Sequence, residues 1–503
     1  MKSGCLRVAI VLLLAVSACF AMAPLAGAAD SGTVILPWVP NNDPIGGLGP
    51  WYGRIEIQNP TATLCSIHIS IPNDNGTWTE NTQFIIDPHG LSDLAPGDIG
   101  VPEPGSAVMV KSSGCEAAVA VKQASTTYND PPWSYGANAV TGYTGISGDD
   151  AANAPEWILP IVQTNNGWNS YIRVTNVEAF NAKSVTIQIF PYHNLSADSG
   201  AIRTVTASLA AGQTETLDLL SLIDQTGFVG FARVTSEGNV VAMVQREKPA
   251  SQVAMINMGS ALATGEATIQ AVSTYQIEAP IVFNAYNGWN TGINLANPNN
   301  AVATVTISYP GAGRPDDNVT LQPYSSDYVY TPANAAGQTG FTGNAVIYSD
   351  QPIGAIVDEV KYSTNDAISY SAVPGLSSQV AVPLVFKQAQ SGTRNDNSGI
   401  NVSNASDRQT TVEINIYDQP GTLAGGPYDL TIPAHSSNFI YLPSTVVAPD
   451  TMGTAIVTSL DGAPIVAVSN DVSYDIAGGG STVFNAPSTA GLYQIGTGAT
   501  PAN

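Results

Sequence analysis

The chain has 503 residues, 44% hydrophobic but only 11% charged, with 16 Lys and Arg against 39 Asp and Glu for a net charge of −23. That apolar content supplies a core and argues against a disordered chain. The acidic balance excludes nucleic acid as a partner, because phosphate backbones are bound through cationic contacts, and the abundance of Gly, Pro, Ser, Thr and Asn favours strands and turns over helices.

At the start, Lys2 and Arg7 flank the apolar run "VAIVLLLAV", and "AGA" at 26–28 offers small residues for cleavage. This is the pattern of a secretory signal peptide over residues 1–29. A competing pattern, "VSAC" at 16–19, fits a lipoprotein box that would leave Cys19 as a lipidated N-terminus. Both place the mature protein outside the cytoplasm, extracellular or at the cell surface. No later stretch reaches the ~18 apolar residues of a membrane span, so no transmembrane segment is expected in the mature chain.

The remainder repeats itself. Four short proline-bearing strands recur: "LPWV" (36–39), "LPIV" (159–162), "APIV" (279–282) and "VPLV" (382–385). Each precedes a landmark strand, "WYGRIEIQN", "WNSYIRVTN", "WNTGINLAN" or "DNSGINVSN", closing on Asn59, Asn176, Asn297 and Asn404. A strictly alternating strand follows: Ile67, Ile69, Ile71; Val185, Ile187, Ile189; Val305, Ile307, Tyr309; Val412, Ile414, Ile416. A period of two marks a strand with one buried face.

About seven such strands fall in each repeat of roughly 100–125 residues, which fits an Ig-like sandwich and is far too long for a propeller blade. The expected fold is all-β: four tandem Ig-like β-sandwich domains at 30–153, 154–275, 276–378 and 379–490, with a C-terminal tail at 491–503. Short linkers predict a semi-rigid rod.

Within the first unit, Cys65 precedes Ile67 by two residues and so faces inward with it. Cys65 and Cys115 are the two cysteines left after the leader, and an even pair in an exported chain predicts a disulfide. It would close a loop of about 50 residues, worth roughly 4 kcal/mol on the chain-entropy model. Trp51, Trp168 and Trp289 open the landmark strands, where an aromatic can fill the end of a sandwich core. Asp396 takes that place in the fourth unit, which must close differently.

Two aromatic loops are peculiar to the first unit, "NDNGTWTEN" (73–81) and "YNDPPWSYG" (128–136). Trp78, Trp133 and Tyr135, set among Asn and Asp, are the candidates for stacking on a glycan. Against this stands a structural role, covering the free end or docking onto the second unit. The acidic pairs Asp149–Asp150 and Asp316–Asp317 read as solvated turns. Calcium at the former pair, stiffening a joint, is the alternative, and no other cofactor is expected.

Catalytic signals are thin. His89 and His435 occupy the same turn as Gly212 and Tyr324, His68 faces outward and His193 lies in a loop. No histidines have metal-ligand spacing and no Gly-x-Ser-x-Gly elbow occurs. Sequons at Asn194, Asn318, Asn401 and Asn404 would mark exposed loops.

The stretch "GFTGNAVIYSDQPIGAIVDEV" (340–360), with "NGWNTGINLAN", resembles the tandem Ig-like repeats of secreted bacterial cell-surface proteins. The resemblance implies a surface or matrix role and transfers no catalytic residue. The expected function is an exported, non-enzymatic structural or adhesive protein of a surface layer, filament or matrix, its partners being copies of itself or other surface proteins. The alternative is a carbohydrate-binding accessory protein acting on polysaccharide through the first unit, and a weaker one is a secreted hydrolase. The tail segment "GLYQIG" (491–496) offers either an orphan strand for head-to-tail pairing or a fold-back of Leu492 and Ile495 onto the fourth unit.

Overall fold

A computed structural model describes residues 31–488 except 74, 126–138, 155, 193–199, 263–274, 334–338, 376, 392–393 and 474–480. The chain is nearly all strand, with antiparallel pairing throughout the sheets. Its strands fall into four successive groups, at 31–147, 156–262, 275–371 and 379–485. In the second group one sheet runs 203–209, 183–191, 229–236, 156–163, 260–262 and the other 214–218, 169–176, 240–248, 253–258. The third group has the same two-layer plan, while in the first and fourth the long opening strands, Ser31–Asp43 and Gln379–Ser391, pair into both layers and join them.

Proline explains the recurrent opening strand. Pro37, Pro160, Pro280 and Pro383 lack an N–H, so the ladder cannot run through them. All four strands shift register at that point, between Leu36 and Val39, Leu159 and Val162, Ala279 and Val282, and Val382 and Val385. The alternating residues point into the cores as expected; every one of the twelve is buried. Cys65 is fully buried among them and is bonded to Cys115, with Cα atoms 5.3 Å apart.

The four landmark asparagines are turn locks. Asn297 Nδ2 donates to the carbonyls of Ala301, Leu321 and Gln322, and its Oδ1 accepts from Asn299 N. Asn59 and Asn404 make the same set of bonds, and Asn176 all but one. One wholly buried amide thus ties the end of its strand to a turn and to the next hairpin. Asn297→Ala strands three acceptors and a donor, so a loss of about 1–3 kcal/mol is expected in denaturant unfolding.

The expected rod is corrected by the way the groups meet. At the exchangeable turn, His89, Gly212, Tyr324 and His435 all adopt a left-handed backbone, φ 59°, 73°, 52° and 53°. Each tip touches the preceding group. Tyr324 stacks on Phe190 with centroids 5.4 Å apart, Gly212 abuts Pro72, and the His435 carbonyl accepts from Asn344 Nδ2. His89 stacks on Tyr417 at 4.2 Å, so the first group is preceded by the fourth. One contact repeated four times therefore closes a ring within a single chain, as a head-to-tail interface does when its rotation closes. The last strand of each group, Val140–Thr144, Val253–Met258, Asp366–Ser371 and Thr482–Asn485, packs against its counterparts on both sides around the ring axis.

Candidate functional site

Ring closure buries polar strand faces that a rod would leave in water. Lys122, Arg246 and Glu247 are fully buried and Arg173 is 1% exposed. Such groups persist away from water only when paired. Between the first and second groups, Arg173 meets Asp43 at 2.5 Å, while Trp51 Nε1 donates to Glu247 Oε1 at 2.8 Å. Between the second and third, the Arg246 guanidinium grips both Asp358 oxygens at 2.6 and 2.8 Å.

The landmark tryptophans belong to these seams. Trp51 packs on Ala254 of the next group, and Trp168 packs on a cluster that joins Val253 and Met255 of its own group to Ala367 of the next. Trp289 rests on its own group's core facing Val472 of the fourth. The reading of these side chains as plugs at the end of a sandwich core is thereby corrected for Trp51 and Trp168. Asp396, standing where the fourth group lacks the aromatic, closes the last seam by another means. It and Asp471 receive Lys122 Nζ at 3.1 and 2.7 Å, and the ammonium lies 4.3 Å from the Phe386 ring centroid.

Burial raises several carboxyl pKa values at the seams. Glu278 is pushed up to about 8 by desolvation, opposed by its hydrogen bond from Gln276. Glu56 and Glu359 are also pushed well above the usual carboxylate range by burial, and Glu247 is raised. His89 shifts down for the same reason.

Two hollows result. An axial cavity of about 440 Å³ is walled by residues from all four groups, among them Tyr143, Trp157, Met258, Tyr370 and Val483. A groove of about 300 Å³ lies between the third and fourth groups, between the turn at 285–288 and the strands Arg394–Asn404 and Ile465–Ser473. Among the described residues its walls carry Phe283, Tyr286, Trp289, Phe439 and Tyr441 with Asn287, Asn397, Asn401, Asn470, Thr342 and Ser444, and no Asp, Glu, Lys or Arg.

Sequence candidates fare unevenly. Trp78 is half-buried and its indole N–H donates to the Glu178 carbonyl at 3.0 Å, docking the loop onto the second group. Trp133, Tyr135, Cys19, His193, Asn194 and the tail from 489 lie outside the described residues. Asp149 is an exposed residue of the short helix Gly148–Asn153 at the edge of the axial cavity, and nothing is described of Asp150's side chain. Asp317 pairs with Arg314 and accepts from the Tyr309 hydroxyl, a local brace. Asn401 and Asn404 are buried, which corrects their reading as exposed sequons. The groove went unseen in the sequence because its two walls belong to different groups, the turn at 285–288 lying more than a hundred residues before Asn397; the aromatic run Phe283, Tyr286, Trp289 was a local trace of it.

No family model matches the chain and no curated protein sequence is similar to it. Among solved structures, one described as Thermotoga maritima 1070 is 16% identical with a TM-score of 0.19, covering 21% of this chain and 93% of its own. The Anabaena sensory rhodopsin transducer is 22% identical with a TM-score of 0.16, over 19% of this chain and 95% of its own. A tetra-tandem repeat from the extending region of a large adhesion protein is 12% identical with a TM-score of 0.11, over 84% of this chain and 91% of its own. Likenesses this slight carry no argument about function.

Proposed function

We propose that the protein is an exported, non-enzymatic structural or adhesive component of the cell surface, built as a preassembled ring that works by holding its place and its partners. The observation that carries this reading is the fourfold contact of turn tip on preceding group, closed within one covalent chain. Assembly in one chain makes the ring independent of protein concentration, which suits a dilute extracellular setting. Buried ion pairs hold three of its seams and a disulfide staples the first group, favouring stiffness over domain motion. The leader-like N-terminus supports export.

Immunogold imaging of native cells, with fractionation of the medium, tests the proposal. The expected result is label retained at the surface in an array, fibre or matrix. Recovery of the protein solely as free monomers in the medium would overturn it.

A further inference from the structure

We infer that the groove between the third and fourth groups is a binding site for a neutral carbohydrate chain. Three independent features point to that chemistry. First, the walls pair aromatic rings with primary amides. Tyr286 stacks on Phe283 at 5.8 Å and Trp289 tilts against Phe283 at 6.2 Å; Phe283 and Trp289 are buried, so Tyr286 is the ring of this cluster that the groove presents. Phe439, 45% exposed, and Tyr441 stand in the fourth group's part of the groove. Flat apolar rings match the C–H face of a pyranose, and tyrosine adds a polar tip. Asn401 Nδ2 donates to Asn470 Oδ1 at 3.0 Å, leaving the Asn401 oxygen and the Asn470 NH2 uncommitted among the described contacts. An amide offers a donor and an acceptor together, the pair that neighbouring sugar hydroxyls require.

Second, the described residues of the groove carry no charge, in a chain of net charge −23. A site for an ion, a phosphate or an acidic peptide would carry a compensating group; a polyol needs none. Third, the volume of about 300 Å³ sits at the lower end of the range for small-ligand clefts, about 300–1,000 Å³. That is room for a short stretch of a longer chain.

The equivalent seams are occupied. Between the first and second groups Ile45 and Leu48 pack beside Trp51, and the Leu48 N–H donates to Glu247 at 3.1 Å. Between the fourth and first, Lys122 fills the position with its two aspartates. The site thus differs from the first-unit loops, where Trp78 is tied to Glu178.

The test is isothermal titration of the full mature chain with cello-, chito-, xylo-, manno- and laminari-oligosaccharides. At least one is expected to bind. Phe439→Ala and Tyr286→Ala should each weaken that binding about tenfold or more, as the loss of a contact aromatic does. Phe180→Ala, a 79% exposed ring elsewhere on the surface, should leave it unchanged. If Tyr286→Ala lowers the thermal midpoint, Phe439→Ala decides alone, since its position tolerates solvent. Wild-type protein that binds none of the five sugars, or binding that survives Phe439→Ala, overturns the inference. Either failure leaves the surface role standing, because that is read from cells rather than from sugar binding.

Discussion

Lys122→Met is expected to cost about 3–5 kcal/mol, the usual penalty for removing one partner of a buried ion pair. The ammonium is fully buried between Asp396 and Asp471, themselves at most 1% exposed. Without it two carboxylates face each other away from water, and the cation that bridges the first and fourth groups there is gone. A lower urea midpoint and a larger radius of gyration by small-angle scattering, from the seam opening, are the readouts. Removing all three charges together, with Asp396→Leu and Asp471→Leu added, should recover most of the loss, because well-packed apolar residues replace buried ion pairs at little or no cost. A Lys122→Met protein within about 1 kcal/mol of wild type would show that the seam does not depend on the pair.

Stability should also fall as pH rises from about 5 to 8, with Glu278 a principal cause. Its folded-state pKa, about 8, lies above the ordinary 4.5. Between those values the folded protein holds a proton that the unfolded chain has released, so the stabilisation is complete below 4.5 and lost as pH climbs through 8. Each tenfold difference in proton affinity between the folded and unfolded chain is worth about 1.4 kcal/mol, so the full effect is several kcal/mol. Burial is the cause, outweighing the side-chain hydrogen bonds from Gln276 and Asn344 that favour the charged form. Glu56, Glu247 and Glu359 act in the same direction. His89, depressed by burial, acts oppositely and only as pH falls below 6.5. Glu278→Gln should raise the melting temperature at pH 8, leave it nearly unchanged at pH 5, and flatten the slope between. An unchanged slope in the variant would remove Glu278 from the account.

Much of the fold could be read from short-range pattern, because its causes are local. Alternation set the inward faces of the Ile67, Val185, Val305 and Val412 strands, proline marked the register shift of each opening strand, and Cys65 lay in phase with its buried neighbours. The ring escaped because a polar strand face looks the same whether water or a second sheet covers it. Lys122 and Arg246 read as solvent residues until their partners, Asp471 and Asp358, arrive from another group. Trp51 was legible as a buried aromatic, but nothing near it in sequence names Glu247, 196 residues away, as its acceptor.

A ring of four identical subunits has four identical seams, and any pocket formed at one recurs at all. Here the seams carry Trp51 with Glu247, Arg246 with Asp358, the uncharged groove, and Lys122 with two aspartates. Joining the groups in one chain releases each seam to diverge while the others keep the circle intact. The cost is valency: the proposed sugar site at a single seam would grip one ligand at a time, without the gain in avidity that linked sites confer. On the proposed reading, firm attachment to a polymer comes from crowding many rings on one surface, which moves multivalency from the molecule to the layer that displays it.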